Sequence, residues 1–178
     1  RMKDLIDGLL QYSRVGRKEG TFGTVGLDAL VDGVIDDLGH QIERLDAEVT
    51  REPLPVAYGN RAQLRRVMQN LIGNALTYHG DARPVVHVCG ERQEGAVHLM
   101  VADQGPGIPA EARERVFQMF QQLDPHGDGK EGTGIGLALC RKIVQRHDGT
   151  IWVEEGPQGG SVFHLTLSLT PENAMSSS

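Results

Sequence analysis

The sequence predicts an α/β protein: a two-layer sandwich in which a mixed sheet packs against helices, preceded by a helical hairpin fragment. Three observations predict it. Residues 85–92, 97–102 and 161–169 alternate apolar and polar side chains, the period of half-buried strands. Residues 60–77 and 135–147 repeat their apolar side chains at helical spacing. Strands and helices are interspersed without the regular βαβ alternation of a doubly wound sheet.

In chain order, Met2, Leu5, Ile6, Leu9 and Leu10 give a first helix over 1–13. A second, over 27–45, carries Leu27, Leu30, Val31, Val34, Ile35, Leu38, Ile42 and Leu45. The stretch between them, RVGRKEGTFGTVG, is rich in glycine and charge and reads as a loop. Two amphipathic helices so joined form a hairpin that needs a partner for its apolar stripe. Residues 1–46 are therefore expected to be one unit, 47–170 a second, and 171–178 a disordered tail. AEVTRE and PVAYG read as short strands. Asn60, with Gln63 three residues on, is a capping-box start for the helix over 60–77, whose apolar face runs from Leu64 to Leu76. Glu94-Gly95 turns one alternating strand into the next. A short helix is expected around 110–120, a helix over 135–147, and then the strands TIWVEE and SVFHLTLSL about the turn GPQGG.

Composition narrows the function. The chain has 178 residues and a formal charge of −6, with a pI near 5.6. Such a balance argues against a nucleic-acid surface, which needs a basic footprint. No apolar run reaches the length of a membrane span and no signal-peptide pattern is present, so no membrane contact is expected. Cys89 and Cys140 sit in apolar patterns without metal or redox spacing, which fits buried thiols in a reducing, cytoplasmic setting. The start at Arg1 suggests a fragment of a longer protein.

The chemistry gathers at GDGKEGTGIGLAL, residues 127–139. Glycine lets backbone N–H groups approach phosphate, because no Cβ blocks the way. Gly127, Gly129 and Gly132 match a dinucleotide fingerprint, but no strand precedes them. A P-loop fails because Glu131 follows Lys130 where Ser or Thr should hold magnesium. A calcium loop from Asp124 fails at His126 and Ile135. On the helix over 60–77, Asn70, Asn74 and Thr77 form a polar stripe beside the apolar face. Asp103 ends an alternating strand and is followed by Gln104-Gly105-Pro106-Gly107-Ile108, where a carboxylate beside two glycines can meet a flat ligand.

Taken together, Asn70-x3-Asn74, Asp103-x-Gly105-x-Gly107, Phe117-x-x-Phe120 and Gly132-x-Gly134-x-Gly136-Leu137 occur in an order that resembles the ATP-binding domain of sensor histidine kinases, within the GHKL superfamily. The resemblance covers roughly residues 50–170; residues 1–45 resemble the end of the paired-helix dimerisation domain that precedes it. NLIGNAL and QRHDGTIWVE are similar to the kinase tails of phytochrome-like sensors. The resemblance implies the Bergerat ATP-binding fold, ATP and magnesium as cofactors, a homodimer through the dimerisation helices, and a response regulator as partner.

By that resemblance, Asp103 binds the adenine amino group, while Gly105, Gly107 and Ile108 shape the base pocket. Asn74 coordinates magnesium, Asn70 supports metal or phosphates, and Tyr78 lies near the base or ribose. Phe117 and Phe120 anchor a lid over 121–131, flexible without nucleotide. Gly132, Thr133, Gly134, Gly136 and Leu137 wrap the phosphates at a helix N-terminus, and Ser161 takes the last small polar position near adenine. No phospho-accepting histidine has its expected surroundings, so no catalytic residue is assigned; His147-Asp148 has only a superficial likeness to one. Thr77 and Gln122 stand where many kinases carry Lys and Arg, and loss of positive charge there costs rate in phosphoryl transfer. Lys130 is the candidate replacement, ahead of Arg115 and Lys142. The implied function is γ-phosphoryl transfer from Mg-ATP to a histidine outside this fragment, then to a response-regulator aspartate. The alternatives are a catalytically weak or phosphatase-biased nucleotide-binding module and a GHKL ATPase. The ATPase is disfavoured because Asn70 cannot act as a general base where such enzymes use glutamate.

Overall fold

The computed structural model describes residues 2–15, 21–119 and 134–171. Its elements are α1 (Met2–Arg14), β1 (Gly23–Gly26), α2 (Leu27–Asp37), α3 (Gly39–Arg44), β2 (Glu48–Arg51), β3 (Val56–Gly59), α4 (Arg61–Thr77), β4 (Val85–Gln93), β5 (Ala96–Asp103), α5 (Gly136–Arg146), β6 (Ile151–Glu155) and β7 (Ser161–Ser168). The main sheet runs β2-β4-β5-β7-β6. Only β2 and β4 pair in parallel; the other neighbours are antiparallel, so the sheet is mixed as expected.

One face of the sheet turns Val86, Val88, Val97, Leu99, Val101, Val153, Phe163, Leu165 and Leu167 onto α4 and α5, which answer with Leu64, Met68, Leu71, Ile143 and Val144. The other face carries the alternate residues, half-buried or exposed. Val88, Leu71, Ile72 and Leu167 are all at most 1% exposed. At roughly 25 cal/mol per Å² of apolar surface removed from water, each such side chain contributes about 1.5–3 kcal/mol against the entropy of ordering it.

Between α1 and α2 the chain differs from the loop expected there. Residues 14–26 are not all loop: β1 pairs antiparallel with β3, Gly23 opposite Gly59, in a second, two-stranded sheet. Its sequence, GTVG, is too short and glycine-rich to show a strand pattern. The expected helix over 27–45 breaks at Leu38, whose backbone (φ −90°, ψ 4°) leaves the helical well just before Gly39. α2 does not lie on α1; Leu27, Leu30, Val31 and Val34 join the core built on α4. An ion-pair network fixes it further, with Arg51 donating to Asp28 at 2.9 Å and to Asp32 at 2.6 Å. The stripe of residues 27–34 therefore finds its partner in the residues that follow, one of the two partners expected for it.

α1 packs on α5 instead. Lys142 Nζ donates to the Tyr12 carbonyl at 2.7 Å and Arg146 Nη1 to that of Val15 at 2.8 Å. The helix buries none of its own residues, and Met2, Ile6, Leu9 and Leu10 stay exposed.

At the start of α4, Asn60 Oδ1 accepts from the Gln63 N–H at 3.1 Å, as the capping pattern predicts. The reciprocal half is absent. The Asn60 N–H goes to His147 Nε2 at 3.0 Å, and the buried Gln63 Oε1 has no partner among the described residues. His147 is fully buried and its Nδ1–H donates to the Ile143 carbonyl at 2.8 Å. The ring is therefore held neutral, and burial lowers its pKa from the ordinary 6.5. Finally, the helix expected around 110–120 is two short 3-10 turns, Ala110–Ala112 and Arg115–Phe117.

Candidate functional site

The site is built where β5 ends. Asp103 Oδ1 accepts from the N–H of Gly105 at 2.9 Å and from that of Ser161, the first residue of β7, at 3.2 Å. One carboxylate oxygen thus fastens two backbone segments, while the other makes no hydrogen bond among the described residues. Burial raises the pKa of Asp103, and the two N–H donors oppose the rise.

Three glycines make this convergence possible. A Cβ on Gly160 (φ +74°) would lie 2.1 Å from the Asp103 carbonyl oxygen. One on Gly105 would lie 2.6 Å from the carbonyl oxygen of Tyr78, the residue ending α4. Gly107 takes φ +81°, and its Cβ would come 3.2 Å from Gly160 O. Ile108 packs its side chain on the core, and its carbonyl accepts from Arg113 Nε at 3.2 Å. Ser161 is brought to Asp103 through its N–H, a contact its place after the turn did not reveal. Gly160 was not singled out from the sequence; the doubled glycine in GPQGG is the signal that could have found it.

The second wall is the seam between α4 and α5. A Cβ on Gly136 would stand 3.2 Å from Asn70 Oδ1, so the first residue of α5 has to be small for the two helices to meet here. Asn70 Nδ2 is buried and, among the described residues, has no nitrogen or oxygen hydrogen-bond partner. Asn74, one turn on, is half-buried. Ile135, the N-cap of α5, makes no side-chain cap bond; the first N–H groups and the dipole of the helix lie at the Gly136 end of the seam. The Leu137 side chain is 7% exposed and belongs to the core, which leaves its backbone N–H in the first turn of α5 as the group it offers to the site. The Thr77 hydroxyl donates to Gly73 O of its own helix at 2.9 Å. Phe117 packs edge-on against Phe163, with centroids 6.0 Å apart, and anchors the chain beyond β5. Lys130, Gly132, Thr133, Phe120 and Gln122, with the lid assigned to 121–131, lie outside the described residues. Cys140 is buried, which pushes its thiol up to about 12, whereas Cys89 is only half-buried, on the sheet's open face.

Among the described residues no group of three or more His, Cys, Asp or Glu side chains could hold a metal. The donors at the seam are neutral amides. Magnesium keeps several waters and binds through few protein oxygens plus substrate phosphates. The amide oxygens of Asn74 and Asn70 fit an ion that arrives with a polyphosphate, not a resident metal.

A carboxylate at a strand end, close-approach glycines, paired asparagines and a helix N-terminus are the parts of this candidate site. Residues 59–171 match the family described as histidine kinase-, DNA gyrase B-, and HSP90-like ATPase. The chain belongs to that family. Phytochrome-like protein Cph1 of Synechocystis sp. is 36% identical over 168 residues, covering 94% of this chain and 22% of that protein. Full-length ShkA in complex with AMPPNP superposes with a TM-score of 0.79 at 25% identity, over 94% of this chain and 36% of that one. Histidine kinase ThkA in complex with response regulator TrrA gives 0.77 at 26% identity, over 97% and 48%. The chain spans about a fifth of the length of the phytochrome-like relative it matches. The expected fold class is thus the observed one, and the phytochrome-like likeness of NLIGNAL and QRHDGTIWVE is matched by a relative over nearly the whole chain.

Proposed function

We propose that this chain is the ATP-binding catalytic unit of a sensor histidine kinase. It holds Mg-ATP for transfer of the γ-phosphoryl to a histidine outside these residues, from which it passes to a response-regulator aspartate. The observation that carries the reading is the pairing of Asp103, with one oxygen left for a ligand donor, and the amide-lined seam at Asn70 and Gly136. The free Asp103 oxygen accepts the adenine amino group, and Tyr78 and Ile108 flank the base. The α5 N–H groups at Gly136 and Leu137 attract phosphate. Asn74, with Asn70, holds the magnesium, which when bound neutralises charge developing on the phosphates. Ser161 supports the site through its backbone, and Lys130, Gly132, Thr133 and Gly134 complete the phosphate side.

The ATPase reading is less well supported, because Asn70 occupies the place of a general base and has no proton-accepting carboxylate. Nor does His147 suit a phosphoacceptor: both its ring nitrogens are used by backbone groups in the interior. Residues 23–171 then form the ATP-binding unit, and α1 is the end of a dimerisation helix. Its exposed stripe of Met2, Ile6, Leu9 and Leu10 is the face for a second copy. ThkA with its response regulator supports the same class of partner here. Among the described residues no helix is long and apolar enough to cross a membrane; a response-regulator partner favours the cytoplasm.

One observation favours a catalytically weak, nucleotide-binding output module: Thr77, in the place of a lysine, brings no charge, and its hydroxyl donates to Gly73 O of its own helix. Grafting the chain onto a complete dimerisation domain and following label from γ-labelled ATP separates the two. Histidine labelling at ordinary kinase rates is expected; intact ATP binding without label would establish the weak module.

A further inference from the structure

The face of the sheet turned away from α4 and α5 carries a polar cluster that the nucleotide site does not use. β5 contributes His98, β7 His164, and β6 Trp152 and Glu154, with His164 paired in register to Met100 on one side and Trp152 on the other. The hydrogen bonds form a chain: Gln93 Nε2 to His98 Nδ1 at 3.2 Å, His98 Nε2 to His164 Nδ1 at 2.9 Å, and His164 Nε2 to Glu154 Oε2 at 3.2 Å. Trp152 Nε1 donates to the other Glu154 oxygen at 3.1 Å.

Only one proton assignment satisfies this chain with neutral rings. A carboxylate accepts only, so His164 carries its proton on Nε2 and presents a bare Nδ1. His98 donates to it from Nε2 and accepts from Gln93 at Nδ1. The imidazole centroids lie 5.1 Å apart with a tilt of 28°. With nitrogens 2.9 Å apart, the rings meet end-on and the His164 lone pair points along the line to His98 Nε2.

We propose that His98 and His164 bind a borderline divalent transition-metal ion of the Zn2+ class, which takes the place of the proton between them. Imidazole suits such ions. At Zn–N distances of about 2.0–2.1 Å and a tetrahedral angle, the two nitrogens sit about 3.3 Å apart, so the pair opens by about 0.4 Å and each ring swings by about 35° to turn its lone pair from the other ring onto the ion. Each ring already has its other nitrogen held by a side chain. Glu154 grips His164 Nε2–H, the carboxylate–histidine arrangement that orients metal ligands and raises their basicity. When the metal takes His98 Nε2, the proton moves to Nδ1, and the Gln93 amide turns its oxygen to accept it. Glu91 lies opposite His98 across β4 and β5, and with Glu154 it makes the surroundings anionic. Water fills the remaining positions.

Trp152, the only tryptophan of the chain, lies parallel to the His164 ring (3°, centroids 5.0 Å) and reports directly on the pair. The test is titration of the whole chain with Zn2+ at pH 7.5 by calorimetry, with Trp152 emission read in parallel. One equivalent is expected to bind with a micromolar dissociation constant and to change the emission with the same midpoint. His98→Gln and His164→Gln should each weaken binding by more than about tenfold and remove the emission change, and Glu154→Gln should weaken it by about tenfold. Circular dichroism and AMPPNP affinity, unchanged in all three, show that the variants are folded. No saturable binding by the parent chain, or parental affinity in the double histidine variant, overturns the proposal. A Trp152 response to pH that zinc does not alter overturns it too, and would identify the pair as a proton-titrating cluster only.

Discussion

Asp103→Asn separates the two jobs of the Asp103 carboxylate. In the parent chain Oδ1 accepts from Gly105 and Ser161, leaving the second oxygen for a ligand donor. Asparagine keeps one oxygen for the two backbone N–H groups and puts an NH2 where the second oxygen was. An adenine amino group would then face another donor. A hydrogen bond to a charged group contributes about 1.5–3 kcal/mol, and each 1.4 kcal/mol is about tenfold, so affinity for ATP or AMPPNP should fall roughly 10- to 150-fold. Stability should hardly move. Burial already disfavours the charge at Asp103 and the N–H donors favour it; removing the charge relieves one and weakens the other. A melting temperature within about 4 °C of the parent corresponds to roughly 1 kcal/mol for a chain of this size. Calorimetric titration with AMPPNP and magnesium, beside a thermal melt, reads both quantities. Affinity within twofold of the parent would show that the carboxylate does not meet the base. Loss of folding together with binding would show that it is a backbone fastener and nothing more.

Three further outcomes follow from the same geometry. Gly136→Ala puts a methyl 3.2 Å from Asn70 Oδ1 at the mouth of α5; AMPPNP affinity should drop about tenfold, equivalent to about one hydrogen bond, while the melt holds or rises, because alanine favours helix by about 1 kcal/mol over glycine. Unchanged affinity would remove the α5 mouth from the phosphate site. Gly160→Ala meets both a left-handed φ of +74° and a Cβ 2.1 Å from Asp103 O. The conformation alone costs about 1–2 kcal/mol, so the melt should fall by more than about 4 °C, with nucleotide affinity falling beside it; a parental melt refutes the clash. His147 has a folded-state pKa below its ordinary 6.5, chiefly through burial. Its stabilisation is therefore complete above that value and is lost as pH falls below it toward the depressed pKa, by up to about 1.4 kcal/mol per pH unit for one proton. Urea melts from pH 7.5 to 5 should show this slope, and His147→Gln should flatten it; an equal slope in the variant would place the titration elsewhere.

What could be read in the sequence was periodic or capped. The alternation in β4, β5 and β7 and the Asn60 cap were legible, because one face of each strand is buried and the cap is a local hydrogen bond. β1 was not, since a GTVG strand is specified by its partner β3 and not by its own pattern. The break at Leu38 was masked by apolar spacing that continues through Ile42 and Leu45, and the 3-10 turns before Phe117 by the same weakness of short segments. Within the site, Asp103, Gly105, Gly107, Asn70 and Gly136 stood out by motif. The demand on Gly160 did not, because it arises from Asp103, which is remote in sequence. Nor did the sequence show that Leu137 turns inward or that the Thr77 hydroxyl is spent on Gly73.

The strand order β2-β4-β5-β7-β6 has a consequence for how the protein is made. β7 is the last strand among the described residues, yet it lies inside the sheet, between β5 and β6. Until residues 161–168 leave the ribosome, β6 has no neighbour and β5 presents a bare edge. Asp103 meanwhile lacks the Ser161 N–H that completes its turn. At synthesis rates of about 5–20 residues per second, the helices and the first three sheet strands wait for seconds as an open, aggregation-prone intermediate. Nucleotide competence waits for residues 161–168, so a nascent chain cannot capture ATP before this sheet is closed.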